Sequence, residues 1–131
     1  MTKPVDLQQA RIASQMDRIT QDYSNAISDL LIETNKTRVK GRGKVSESPL
    51  IEGNSLRWTL MWNEHKISFE LSILVNIEDD GRKADVGRVW VHRRASTPID
   101  FGGHTPTTRM RRLAHLDIDE IRQAIELEWA E

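Results

Sequence analysis

The residue types best suited to chemistry gather late in the chain, where Asp100, Gly102, Gly103, His104, Thr105 and Thr107 share one loop. A histidine near an aspartate can move protons, and paired glycines let a backbone close on a ligand. Asp100 and His104 are therefore the candidate ligand loop. The same residue types also serve turns, so the loop alone assigns no catalytic residue. The four histidines, His65, His92, His104 and His115, stand 27, 12 and 11 residues apart. None has a partner at helical ligand spacing, and no metal or cofactor is expected. The phosphate-binding and dinucleotide glycine loops, the nucleophile elbow and the paired-histidine zinc motif are all absent.

A second chemistry is anion binding. Residues 36–48 carry five basic groups and one acidic, and residues 83–112 carry seven and two. The flanking stretches are acidic, and the whole chain has a net charge of -1. Lys36, Arg38, Lys40, Arg42 and Lys44 alternate, so an extended segment would aim all five one way, about 6.6 Å apart. Arg93, Arg94, Arg109, Arg111 and Arg112 form the other block. The two blocks either pair with the acidic stretches or converge on one basic surface that could track phosphates.

The element that must position these groups is Lys66–Ile77. Ile67, Phe69, Leu71, Ile73, Val75 and Ile77 alternate with polar residues, Leu74 excepted, which is the period of a strand with one buried face. Leu56–Trp62 and Ala84–Arg93 alternate likewise and flank it through short turns. Gly87 interrupts the third strand and marks a bulge. On the opposite face these strands place Arg57, Glu70, Arg88, Met61 and Trp90, an apolar spot rimmed by charge of the kind protein partners bind.

Two helices flank this meander. Asp6 and Gln9 form a capping box for the first, whose apolar residues Ile12, Met16, Ile19, Tyr23, Ala26 and Leu30 repeat as a heptad seam. At about 40 Å it should overhang its own domain, so Ile12, Met16, Ile19, Tyr23 and Leu30 are the expected interface of a homodimer. Asp117 caps the last helix, Glu120 closes a capping box, and Leu116 and Ile121 form a staple. Trp58, Trp62 and Trp129 fall on apolar faces and belong to the core.

The expected fold is thus one two-layer α+β domain: a long helix over 1–35, a basic and loop connection over 36–55, a three-stranded antiparallel meander over 56–94, a loop over 95–116 and a helix over 117–131. That order of elements is also the order in double-stranded-RNA-binding domains. His65 would then enter the minor groove, and Arg109, Arg111 and Arg112 would precede the last helix. Asp117, Asp119 and Glu120 at that helix start depart from the pattern, because they repel phosphate.

With 131 residues, 37% hydrophobic and 30% charged, the chain can bury a sizeable core. It has no apolar run of membrane-spanning length, no cysteine, and polar Gln8 and Gln9 where a secretory leader needs its apolar centre. These features lead to the expectation of a non-enzymatic cytoplasmic interaction protein that forms a homodimer and binds an unknown protein partner. Nucleic-acid binding through the two basic blocks is the alternative. A ligand or enzyme site on the Asp100–Thr108 loop is the second.

Overall fold

The computed structural model describes residues 7–95 and 111–130. Its element order is α1 (Leu7–Arg38), β1 (Lys44–Val45), β2 (Leu50–Glu52), β3 (Ser55–Glu64), β4 (Ile67–Asp79), β5 (Ala84–Ala95), β6 (Arg111–Leu113) and α2 (Ile118–Trp129). The six strands form one antiparallel sheet in the order β1–β3–β4–β5–β6, with β2 pairing on β3 as well. The central strand is β4, and its alternation is real: Leu71, Ile73, Val75 and Ile77 are buried under the helices, together with Leu56, Trp58, Leu60, Val89 and Val91 of its neighbours. Burying each such side chain contributes about 1.5–3 kcal/mol.

The three-stranded meander understated the sheet. β1, β2 and β6 are two or three residues long. Period two cannot show itself in so few residues, and pairing with a long neighbour holds them instead. The β3–β4 turn is a tight one, with His65 and Lys66 both at positive φ (51° and 66°). The β4–β5 pairing slips between Asn76 and Ile77, leaving Gly87 opposite no partner, which is the expected bulge. A Cβ at Gly87 would collide with the Glu78 side chain.

The long helix does not overhang. α1 has 32 residues, about 48 Å. β4 has 13 residues and runs about 43 Å, so the sheet is nearly as long as the helix. Ile12, Met16, Ile19 and Leu30 are buried in the chain's own core, and Tyr23 packs against it. The seam expected to meet a second copy is therefore covered in cis. Trp58 donates from Nε1 to Ser24 Oγ of α1 at 3.1 Å. Nearer the start of α1, Arg11 holds Asp79 with two hydrogen bonds of 2.6 and 2.9 Å, tying the start of α1 to the end of β4.

α1 ends where Lys40 and Gly41 take left-handed conformations (φ 57° and 75°). Asn35 then clamps the returning chain: its Oδ1 accepts from Gly43 N–H at 2.8 Å and its Nδ2 donates to Gly43 C=O at 3.1 Å. A Cβ at Gly43 would lie 2.7 Å from Leu60 Cδ1, so this close approach needs glycine.

α2 starts as expected, with the Asp117 carboxylate accepting from Asp119 N–H at 2.9 Å. Glu120 reaches past the cap and accepts from His115 N–H at 3.1 Å, rather than closing a box on Asp117. Leu116 and Ile121 both join the core. Trp62 stacks on Phe69 and on Trp129, at 5.7 and 5.8 Å between ring centroids, which binds α2 to the sheet. Among the described residues no helix is long and apolar enough to cross a membrane. The expected Asp6 cap lies outside the described residues.

Candidate binding face on the open side of the sheet

Both helices cover one face of the sheet. Among the described residues no helix covers the other. Side chains at paired positions in neighbouring strands point the same way, so the register arranges this open face in rows. One row is Lys44–Met61–Glu70–Arg94. The next is Thr59–Ser72–His92, and the third is Leu50–Arg57–Leu74–Trp90–Arg112. The fourth is Glu52–Ser55–Asn76–Arg88. Rows are about 6.6 Å apart and strands about 4.8 Å apart.

At the centre lies a buried carboxylate. Glu70 is 6% exposed, and Ser72, equally buried, donates its hydroxyl to Glu70 Oε1. Arg57 Nη1 is 3.8 Å from Glu70 Oε1, and Arg94 Nη2 is 3.9 Å from Oε2. Arg57 also pairs with Glu52 at 2.9 Å. The network is not saturated: Arg57 Nε, Arg94 Nε and His92 Nε2 are buried without a hydrogen-bond partner. Burial pushes the His92 pKa below the ordinary value, and the charges of Arg94 and Arg57 add to that effect against the pull of Glu70. His92 therefore stands as a neutral imidazole at neutral pH, able to donate or accept.

Around this network the face carries five cations, Lys44, Arg57, Arg88, Arg94 and Arg112, against four carboxylates, Glu52, Glu70, Glu78 and Asp85. Arg88 lies 3.8 Å from Glu78, and its guanidinium carbon sits 6.0 Å from the centroid of the Trp90 ring. Acid collects on the other layer, where Asp17, Asp22, Asp29, Glu33, Asp119 and Glu126 are exposed on the helices.

The structure sorts the predicted basic residues and does not bring all of them together. Lys36 and Arg38 belong to the last turn of α1, and Lys40 and Arg42 to the turn beyond it. The segment is not extended, because a helix runs through its first half, so the expected row of five cations does not form. Only Lys44 reaches the open face. In the second block, Arg94 and Arg112 reach it. Arg93 lies 4.7 Å over the Trp129 ring on the helix side, and its N–H is held by Glu128 Oε1 at 3.3 Å. Arg111 donates to Leu127 C=O at 3.2 Å, compensating the negative C-terminal end of α2.

Asp100, His104 and Arg109 lie outside the described residues. Among the described residues no three histidine, aspartate or glutamate side chains gather as a metal site. Arg57, Glu70, Arg88, Met61 and Trp90 lie on the open face as expected. The roles of Ser72, His92 and Glu52 were missed. Residue parity in β4 and β5 carried the signal for the first two, whereas Glu52 sits in a strand too short to read.

A cavity of about 420 Å³ separates α1 from α2, lined by Leu30, Thr34, Ile125, Arg38, Arg122 and Glu126. Its mixed charges form no nucleophile or acid–base pair. Comparison with family models, with curated proteins and with solved structures finds no match to this chain.

Proposed function

We propose that this chain is a non-enzymatic binding module that takes an anionic partner on the open face of its sheet. The observation that supports it is the placement of charge: Arg88 and Arg112 adjoin Trp90 on the open face, and with Arg57, Arg94 and Lys44 farther across it they outnumber its carboxylates Glu52, Glu70, Glu78 and Asp85, while exposed carboxylates crowd the helix layer. Such a distribution orients an approaching anion toward one face even though the whole chain is nearly neutral. Tryptophan, methionine and arginine together are also the residue types that binding surfaces favour. The reading needs one chain only, because the apolar seam of α1 is covered by its own sheet.

The test compares two double variants. Lys44→Glu with Arg112→Glu reverses charge at opposite edges of the face. Lys36→Glu with Arg38→Glu reverses the same charge at the end of α1. The first pair should abolish binding of linear polyphosphate at low salt, and the second should change it less than about threefold. Equal losses in both pairs, or no binding by the unaltered protein, would refute the reading.

A further inference from the structure

We infer that the anion taken by the open face is single-stranded nucleic acid, with a base stacked on Trp90 and phosphates held by the cations around it. This rests on the binding-face reading and narrows it to one class of ligand. The first support is the placement of the ring. Trp90 is the one indole or phenyl ring on that face among the described residues. It is fixed in the third row between Leu74 of β4 and Arg112 of β6, with the Arg88 guanidinium over one face of its ring, which leaves the other face for a base. Stacking on such a ring is open to every base, because every base has a π face.

The second support is the spread of cations. Arg88 and Arg112 adjoin Trp90. Arg94 lies four residues along β5, about 13 Å away, and Lys44 lies three strands further across, about 14 Å. An extended strand can meet such points by adjusting its backbone. Between them stand the neutral polar side chains of Thr59 and Asn76, which are not fully buried and suit base edges.

The third support is shape. The face is four to five strands wide, whereas the major groove of B-form DNA admits a helix or a two-stranded ribbon. The major groove of A-form RNA is narrower still. A broad sheet therefore suits a single strand with its bases splayed out and does not fit a major groove. An acidic peptide would use the same cations but would have no need of the indole.

The experiment is fluorescence anisotropy on the full chain. The probe is an oligothymidylate of about 12 nucleotides, with a duplex of equal length, linear polyphosphate and a polyglutamate peptide as competitors. The single strand should bind most tightly. Its log–log salt slope should fall between about -1.4, if only Lys44 and Arg112 engage, and about -2.8, if Arg88 and Arg94 join them.

Trp90→Leu keeps an apolar side chain and removes the π face. It should weaken oligothymidylate binding about fivefold to a hundredfold and weaken polyphosphate binding much less, through Arg88 alone. Trp90→Phe should retain most of the affinity, and a thermal melt checks that both variants fold. If polyphosphate binds but oligothymidylate is no tighter and Trp90→Leu changes nothing, this inference is overturned while the anion-binding face stands. Tighter binding of polyglutamate, lost in the Lys44→Glu, Arg112→Glu variant, would assign the face to an acidic protein segment instead. No binding by any probe at low salt overturns both readings.

Discussion

Glu70 holds the open face together and also opposes its charge, so changing it should move stability and binding in opposite directions. Glu70→Gln keeps the shape of the side chain and an oxygen to accept from Ser72, and removes one negative charge. Leaving buried charges without their counter-ion costs about 3–5 kcal/mol. Three features reduce that here. The contacts to the guanidinium groups, at 3.8 and 3.9 Å, are longer than hydrogen bonds. The Arg57 and Arg94 side chains keep 24% and 41% exposure, so water screens them. Glu52 still holds Arg57 at 2.9 Å. The expected loss is then about 1–2 kcal/mol, seen as a melting temperature lower by about 3–8 °C.

The same change adds one positive charge to the face. An added charge at this range contributes on the order of 1 kcal/mol in water, so polyphosphate affinity should rise about fivefold at low salt and less at high salt. Circular-dichroism melts and anisotropy titrations at two salt concentrations measure both quantities. If stability and affinity fall together, Glu70 positions the guanidinium groups for the ligand and does not merely balance them. If neither changes, the network has no energetic role, and the reasoning from its geometry is refuted.

Further outcomes follow from other parts of the fold. Gly43→Ala pushes a methyl to 2.7 Å from Leu60 Cδ1 and 2.8 Å from Asn35 Oδ1, and should cost about 1–3 kcal/mol in urea unfolding. Burial and the neighbouring arginines lower the His92 pKa, so as pH falls through about 6.5 the unfolded chain takes up a proton that the folded chain resists. Stability should decline below that pH, and His92→Gln should flatten the decline in melts collected across the range. The Arg11 hydrogen bonds lower the Asp79 pKa, with Gly81 N–H assisting, so their contribution is present above the ordinary carboxylate value and is lost as pH falls through the folded one. Asp79→Asn should reduce the acid sensitivity of the melting temperature between about pH 4 and 2, and an unchanged acid slope would contradict that assignment.

The long elements were legible because their periods are long enough to read. β4 announces itself through six alternating apolar residues, α2 through Asp117, and the bulge through Gly87. Trp58, Trp62 and Trp129 reach the core for the reason their spacing gives. What escaped was anything set by partners distant in sequence. Leu50–Glu52 is a strand only because Ser55–Arg57 lies beside it. The length of α1 is accommodated only because the β4–β5 hairpin is nearly as long. The basic blocks show a different failure, since grouping charges by position in sequence ignores parity. Arg93 and Arg94 are neighbours in the chain and lie on opposite faces of the sheet, as do Arg111 and Arg112. Alternation alone separates them. For Lys36–Lys44 parity could not help, because the segment crosses from helix to turn to strand.

The Glu70 network is a costly arrangement for a sheet face. A sheet face needed only for folding is served well by alternating threonines, valines and small polar groups, and replacing a buried ion network with apolar residues is often neutral or stabilising. This face instead keeps Glu70 buried and surrounds it with three nitrogens, on Arg57, Arg94 and His92, that have no acceptor. A buried polar group without a partner costs about 1–3 kcal/mol. On the helix side, polar groups of comparable position do find partners: the Trp58 indole has Ser24, and the Thr34 hydroxyl has Leu30 C=O. Three of the buried nitrogens without a hydrogen-bond acceptor thus lie on the open face, and all three are potential donors. Each is closed to solvent, so an acceptor reaches it only if the Arg57, Arg94 or His92 side chain turns outward. On the proposed reading, the local placement of these cations, and not net charge, is what would let a chain of net charge -1 take an anion.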